Sequence, residues 1–284
     1  MTAQPGVLGD TSERAYDDKL ELLGRFMEPE LRAIIADLGV RPGETVLDAG
    51  CGIGLTTVWL AEQVAPDGEA IGVDLAEAHV VAAERLNGGQ GLPLRFAQGD
   101  IMQLPFDGGS FDLIWSSNTI NHLPNPPAAV RALGRLLRPG GRLVLGAGFF
   151  LPEMHFAWDE RLERVVTAAC HRYYRDKYKL DERATTSWRA GVGLLRGAGL
   201  TDITARTHVI ERTAPLSTAD ERYFAGYYAN YWAHRVQPYL AADDWAMVRR
   251  LCDPASPDFA PRRTDFHFMQ TYTVIQGSHL GDER

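Results

Sequence analysis

Three glycines and an acid stand together in Val46-Leu-Asp48-Ala-Gly50-Cys51-Gly52-Ile-Gly54. The apolar residues before them read as the end of a buried strand, and residues 55–64 read as the helix that leaves the turn. The glycines let the backbone turn sharply and approach a ligand, while the amides at the helix start point toward it, as in nucleotide-binding cradles. A glycine triplet also suits an ordinary strand-helix turn, so the downstream spacing decides. Asp74 lies twenty residues past Gly54, at the end of a second apolar run, Ala70-Ile-Gly-Val73. An acid in that place can accept hydrogen bonds from ribose hydroxyls.

Further blocks follow in order: Gly72-Val-Asp74-Leu75, Gly99-Asp100-Ile101 with Leu104-Pro-Phe106, Ser110-Phe-Asp112-Leu-Ile-Trp115, and Leu137-Arg-Pro139-Gly140-Gly141-Arg-Leu143. With the glycine block they resemble the class I S-adenosylmethionine-dependent methyltransferases, over roughly residues 41–149. The second half of the chain carries no such resemblance. A dinucleotide dehydrogenase is disfavoured, because Asp48 and Asp100 would repel a pyrophosphate but suit a cationic sulfonium with an amino group.

The resemblance implies S-adenosyl-L-methionine as cofactor and assigns contacts residue by residue. Gly50, Cys51, Gly52 and Gly54 form the close approach, with the amino group near Asp48 and the Gly50 carbonyl. Asp74 takes both ribose hydroxyls and Leu75 lies on one adenine face. Asp100 accepts from the adenine amino group, Ile101 or Met102 covers the other face, and Ser117 and Asn118 meet the methionine end. His122, after the fourth strand, faces the reaction zone as a general base or as a wall of the cavity; histidine suits proton transfer near neutral pH. Tyr16, on a leading helix folded over the cofactor mouth, is the second catalytic candidate, or a tyrosine packed on a neighbouring helix.

Composition bounds the partners. The formal net charge is −8 with pI near 5.5, which disfavours a nucleic-acid partner. No apolar run is long enough to span a membrane and the first residues lack the core of a signal peptide, so a cytoplasmic location is expected. Cys51, Cys170 and Cys252 form neither a disulfide framework nor a zinc spacing, the histidines show no ligand spacing, and no metal is expected.

The elements that must hold these groups follow from hydrophobic periodicity. Residues 12–38 read as helical with one buried face, broken in two at Pro29. Strands are expected at residues 45–48, 70–74, 94–98, 111–116 and 142–148, alternating with helices as in a parallel sheet wound on both faces. The family pattern adds a helix at 186–198, a sixth strand at 202–211 and an antiparallel seventh at 267–275. The expectation is an α/β, Rossmann-like, doubly wound seven-stranded sheet with helical lid insertions. Its parts are an N-terminal helical cap (1–40), a cofactor-binding core (41–150, 184–215), two insertions (151–183, 216–263) and a last strand with tail (264–284).

Of the 27 aromatic residues, 20 lie from Phe149 onward, which makes the insertions the chemically distinctive part. The second opens with Thr218-Ala-Asp220-Glu221, read as a capping box. Tyr223, Tyr227 and Tyr231 then recur every four residues beside Phe224, Tyr228 and Trp232. These rows either line a substrate pocket under a lid or form a core seam or subunit contact. Arg172 and Arg175 can grip an anionic group on a substrate, or serve as a solvated helix end. The expected activity is methyl transfer to oxygen, nitrogen or carbon of a mostly apolar small molecule, with no nucleic acid and no membrane span. The insertions are also surfaces for a homo-oligomer. Cofactor binding turned to another reaction, such as a cyclisation, or to a non-catalytic scaffold, is the alternative.

Overall fold

The computed structural model describes residues 14–148, 153–179 and 189–280. Elements run in chain order α1 (Arg14–Asp37), β1 (Thr45–Ala49), α2 (Leu55–Val64), β2 (Glu69–Asp74), α3 (Glu77–Asn87), β3 (Leu94–Gln98) and β4 (Phe111–Ser117). They continue with α4 (Pro126–Gly134), β5 (Leu137–Gly148), β6 (Met154–His155), α5 (Glu160–Tyr178), α6 (Gly191–Gly197) and β7 (Thr201–Thr213). The last are α7 (Thr218–Gly226), α8 (Ala233–Val236), α9 (Ala242–Cys252) and β8 (His267–Ser278), with a π-helical stretch, Tyr227–Trp232, joining α7 to α8.

One sheet runs β3-β2-β1-β4-β5-β8, with β7 on the far edge of β8. The first five strands are parallel and β8 is antiparallel to both β5 and β7. The α/β doubly wound sheet is therefore present, with one addition. The two-residue β6 pairs with Met269 and Phe268, continuing along β8 the edge that β5 leaves at Tyr272. Alternation with period two sends Val46, Leu113 and Val144 to one face and Leu47, Ile114 and Leu143 to the other. The first face is covered by α1, α2, α5, α7 and α9, the second by α4 and α6.

Three details differ from the sequence reading. α1 runs unbroken through Pro29. A proline removes the donor for the carbonyl four residues earlier, here that of Arg25. Next to it, Arg212 donates to the Phe26 carbonyl (2.5 Å) while pairing with Glu30 (2.7 Å) and Asp220 (3.2 Å). A strand side chain thus ties α1 to β7 and α7 beside the proline. Pro139-Gly140-Gly141 lies inside β5 rather than before it, in an irregularity where Phe111 pairs with Leu137 but Leu113 pairs with Arg142. The N-cap of α7 is Ser217, whose hydroxyl accepts from the Asp220 amide (3.1 Å) and donates to its carboxylate (2.7 Å). The cap lies one residue before the expected box. Of the helix expected at 186–198, the described part is α6, and residues 180–188 lie outside the described residues.

Candidate active site

The glycine turn is held by the strand beside it. The Gly50 and Cys51 amides both donate to the Val73 carbonyl (2.7 and 3.0 Å), and the Gly52 amide donates to Asp74 Oδ2 (2.9 Å). Gly50, Gly52 and Gly54 have φ of 84°, 54° and 81°, the left-handed region where a side chain is strained. A Cβ on Gly50 would lie 2.3 Å from Thr119 Oγ1, and one on Gly54 2.5 Å from the Phe96 ring. At Gly52 the nearest atom is Leu20 Cδ1, at 3.2 Å, so α1 passes over the turn.

The three acids occupy three environments. Asp48 is 1% exposed; Thr57, in the first turn of α2, donates to its Oδ2 (2.7 Å), and Oδ1 is buried without a hydrogen-bond partner. Burial raises its pKa to about 6 despite the Thr57 bond. Asp74 accepts from Gly52 on Oδ2, and from the Ala76 amide (2.9 Å) and His79 Nδ1 (3.2 Å) on Oδ1. Burial pushes it up, but His79 and the two amides outweigh that and hold it below the usual carboxylate range. Three of its roughly four acceptor positions are taken, so a sugar there either displaces a donor or sets one hydroxyl on Oδ2. Asp100 is exposed and accepts from the Met102 amide (2.8 Å).

Around these acids the flanking residues differ in exposure. Leu75 is 45% exposed beside Asp74, Ile101 is buried and Met102 half-buried. The Cys51 thiol is buried, and burial together with the charges of Asp48 and Asp74 pushes its pKa well up, which keeps it a poor nucleophile.

At the end of β4, Ser117 Oγ lies 2.7 Å from the buried Tyr272 hydroxyl, and Asn118 (φ 50°) accepts on Oδ1 from the Gly148 amide (3.0 Å). Both side chains therefore fasten β4 to β5 and β8. Thr119 donates to the Ser117 carbonyl (2.8 Å) and reaches the Gly50 carbonyl at 3.3 Å. His122 is half-buried on the short 3₁₀ turn Ile120–His122, its Nε2 3.4 Å from the Asn121 amide nitrogen. The side chain of Tyr16 lies outside the described residues.

The aromatic rows form a packed seam. Tyr223, 2% exposed, stacks on Phe26 of α1 with ring centroids 3.7 Å apart, and Tyr227 stacks on Tyr223 at 5.4 Å. Phe224 meets Phe266 and Phe268 edge-on. The side chains of Tyr231 and Trp232 lie outside the described residues. Arg172 is exposed on α5 with its guanidinium over Tyr239, and Arg175 pairs with Asp176 at 4.0 Å. The guanidinium held between rings is instead that of Arg235, over Tyr173 and Tyr174 and donating to the Tyr174 hydroxyl (2.9 Å).

Three groups escaped the sequence reading. His79, five residues past Asp74, lies in the first turn of α3 and Thr57 in the first turn of α2, placements that first-turn geometry makes readable. Glu153 carries no such signal. The Tyr227 hydroxyl donates to it, 2.9 Å from each carboxyl oxygen, and His155 Nε2 lies 3.9 Å away. Its neighbour His155 stacks on Trp158 (4.2 Å) and meets the Tyr228 hydroxyl (3.1 Å). Burial raises the Glu153 pKa to about 7 and lowers that of His155 to about 3, leaving the imidazole neutral.

The chain matches a family model described as a methyltransferase domain over residues 47–145. A trans-aconitate 2-methyltransferase of Deinococcus radiodurans is 34% identical over 232 residues, 79% of this chain and 80% of that protein. A demethylmenaquinone methyltransferase of Staphylococcus aureus is 34% identical over 114 residues, 40% of this chain and 46% of that protein, so the match spans less than half of that relative. Among solved structures, the YcgJ protein of Bacillus subtilis shares the fold with a TM-score of 0.54 at 22% identity, over 88% of this chain and 98% of that one. The chain belongs to the class I S-adenosylmethionine-dependent methyltransferase family.

Proposed function

We propose that this chain binds S-adenosylmethionine at the β1–α2 turn and transfers its methyl group to a small, mostly apolar acceptor. The observation that carries the reading is the pairing of the turn with Asp74 across the C-terminal ends of β1 and β2, where doubly wound sheets bind their ligands. The residues fit the cofactor. Asp74 Oδ2 keeps acceptor capacity for a ribose hydroxyl, Leu75 offers an exposed apolar surface for a base, and Asp48 supplies an orphaned buried acceptor under the amino-acid end. Bound there, the cofactor supplies a methyl carbon already activated by a positively charged sulfur.

The protein's own task is then to aim a nucleophile, and positioning alone can lower a barrier by about 7–11 kcal/mol. α1 covers the turn through Leu20, and the aromatic seam on the same helix adjoins it through Phe26. Rings combine large apolar area with few torsions to freeze, which favours a compact apolar acceptor. Support for a small acceptor also comes from the relatives, named for trans-aconitate and demethylmenaquinone.

The test is calorimetric titration with S-adenosylmethionine, followed by a screen for acceptor-dependent release of S-adenosylhomocysteine. No binding at millimolar cofactor would defeat the assignment. Binding without release against hydroxyl-, amine- and carbon-nucleophile panels would leave a cofactor-binding protein and remove the transferase.

A further inference from the structure

Glu153 is a carboxyl held in an aromatic enclosure by one phenol. Its side chain is 10% exposed, its described contacts are Tyr227 and His155, and the rings of Trp158, Tyr223, Tyr228 and Phe268 surround that cluster. A buried carboxyl is costly unless paired with a cation or several donors, yet Glu153 has one phenol and one neutral imidazole. Groups kept in such surroundings cluster at functional sites.

Its position is the second observation. β5 ends at Gly148 opposite Tyr272, and β6 begins at Met154 opposite Met269, on the same edge of β8. Three residues of strand separate these points, about 10 Å. Gly148 is tied to Asn118 at the mouth of β4. On the other side, α1 places Leu20 on the glycine turn and Phe26 in the ring stack that ends at Tyr227, six residues or about 9 Å apart. Glu153 thus lies past the C-terminal end of β5, on the ligand side of the sheet.

We propose that Glu153 is the base that takes the proton from the methyl acceptor, with Tyr227 as its positioning residue, and that the acceptor is a hydroxyl or amine on an apolar body. This rests on the transferase reading above. The acceptor's oxygen or nitrogen forms a bond to the methyl carbon as the carbon–sulfur bond breaks, its electron pair staying on sulfur. The proton released from the acceptor passes to a Glu153 oxygen and from there to water. Among the described residues, no group facing Glu153 competes for the role. His155 of β6 is neutral, and Tyr227, Tyr228 and Cys252 have their pKa values pushed well above ordinary by burial. Tyr223, Tyr174 and Cys170 are the other described titratable groups around Tyr227, with Arg235 on the Tyr174 hydroxyl. A carboxyl poised at about 7 is matched to general base work near neutral pH.

Two measurements test this on the full chain. Loaded with S-adenosylhomocysteine, the protein is treated with dicyclohexylcarbodiimide, an apolar reagent for protonated carboxyls, and modification at Glu153 is followed by peptide mass spectrometry against pH. Labelling that falls with a midpoint near 7 is expected; no labelling at Glu153, or a midpoint in the ordinary carboxylate range, overturns the proposal. In turnover with the acceptor found by product release, Glu153→Gln should keep cofactor affinity and lower kcat by about 10²–10⁴-fold, losing the rise in rate through pH 7. Tyr227→Phe removes the bond that lowers the Glu153 pKa, so the rise should move to higher pH, which serves if Glu153→Gln does not fold. If Glu153→Gln transfers at the wild-type rate and profile, or if the rise vanishes in His122→Ala instead, the inference fails while the transferase stands. If wild-type protein binds no cofactor, the transferase reading itself has failed.

Discussion

Asp74 and Glu153 are both carboxyls with little solvent contact, 15% and 10% exposed, yet they end on opposite sides of the ordinary carboxylate range. Burial pushes each one up. Asp74 is met by two backbone amides and a histidine from its own and the adjoining turn, and these win. Glu153 is met by one phenol, and burial wins. The two halves of the molecule follow the same contrast. The cradle is built from backbone groups and residues close in sequence, so the charge of Asp74 is satisfied before a ligand arrives, while Asp48 Oδ1 is left open. The aromatic seam is built from rings on α1, α7, β6 and β8, which leave the carboxyl in their midst with a single hydrogen-bond donor.

Breaking the seam should cost more than breaking the cradle. Phe26→Ala removes the ring on which Tyr223 stacks and the one beneath Arg212, and should destabilise the fold by about 3–5 kcal/mol in urea denaturation. A loss below 1 kcal/mol would mean that the seam is not continuous across α1 and α7.

Glu153→Gln sharpens the contrast through its pH dependence. A folded pKa raised from 4.5 to about 7 means that stability is fully present below 4.5 and is lost as pH rises to 7. At pH 8 the charged carboxylate therefore lowers stability by about 3 kcal/mol, an order-of-magnitude figure that the glutamine should recover. At pH 4 the two proteins should melt alike. His155 acts in the opposite sense: with its pKa lowered from 6.5 to about 3, its contribution is present above 6.5 and fades as pH falls toward 3. Equal melting of wild type and Glu153→Gln at both pH values would place Glu153 in water.

In the cradle, Asp74→Ala should weaken S-adenosylmethionine binding by about 1.5–3 kcal/mol, one charge-assisted bond, rather than the larger loss expected were both hydroxyls bound. Calorimetry decides between the two. Smallest is Ser217→Ala, which removes the N-cap of α7 and should cost about 1 kcal/mol of stability with cofactor affinity unchanged. A fall in affinity would show that α7 and the cradle are coupled.

What the sequence by itself determined lies where structure is local. The strands expected at residues 45–48, 70–74 and 94–98, the glycine turn and the place of Asp74 at the end of β2 all follow from local periodicity and spacing, and the structure forms those strands at 45–49, 69–74 and 94–98. The unbroken helix through Pro29 was not legible, because it is held by tertiary contacts such as that of Arg212, which lies 186 positions from the Phe26 carbonyl to which it donates. Nor was β6, two residues long and defined only by its partner. The aromatic rows were visible as a pattern, but which rings touch depends on α1 crossing α7, where a Cβ on Gly226 would meet Leu22 at 2.7 Å. Glu153 shows the limit most clearly. Nothing in its neighbours marks it, and its character comes from exclusion of water by rings distant in sequence, a property that exists only once the chain has packed.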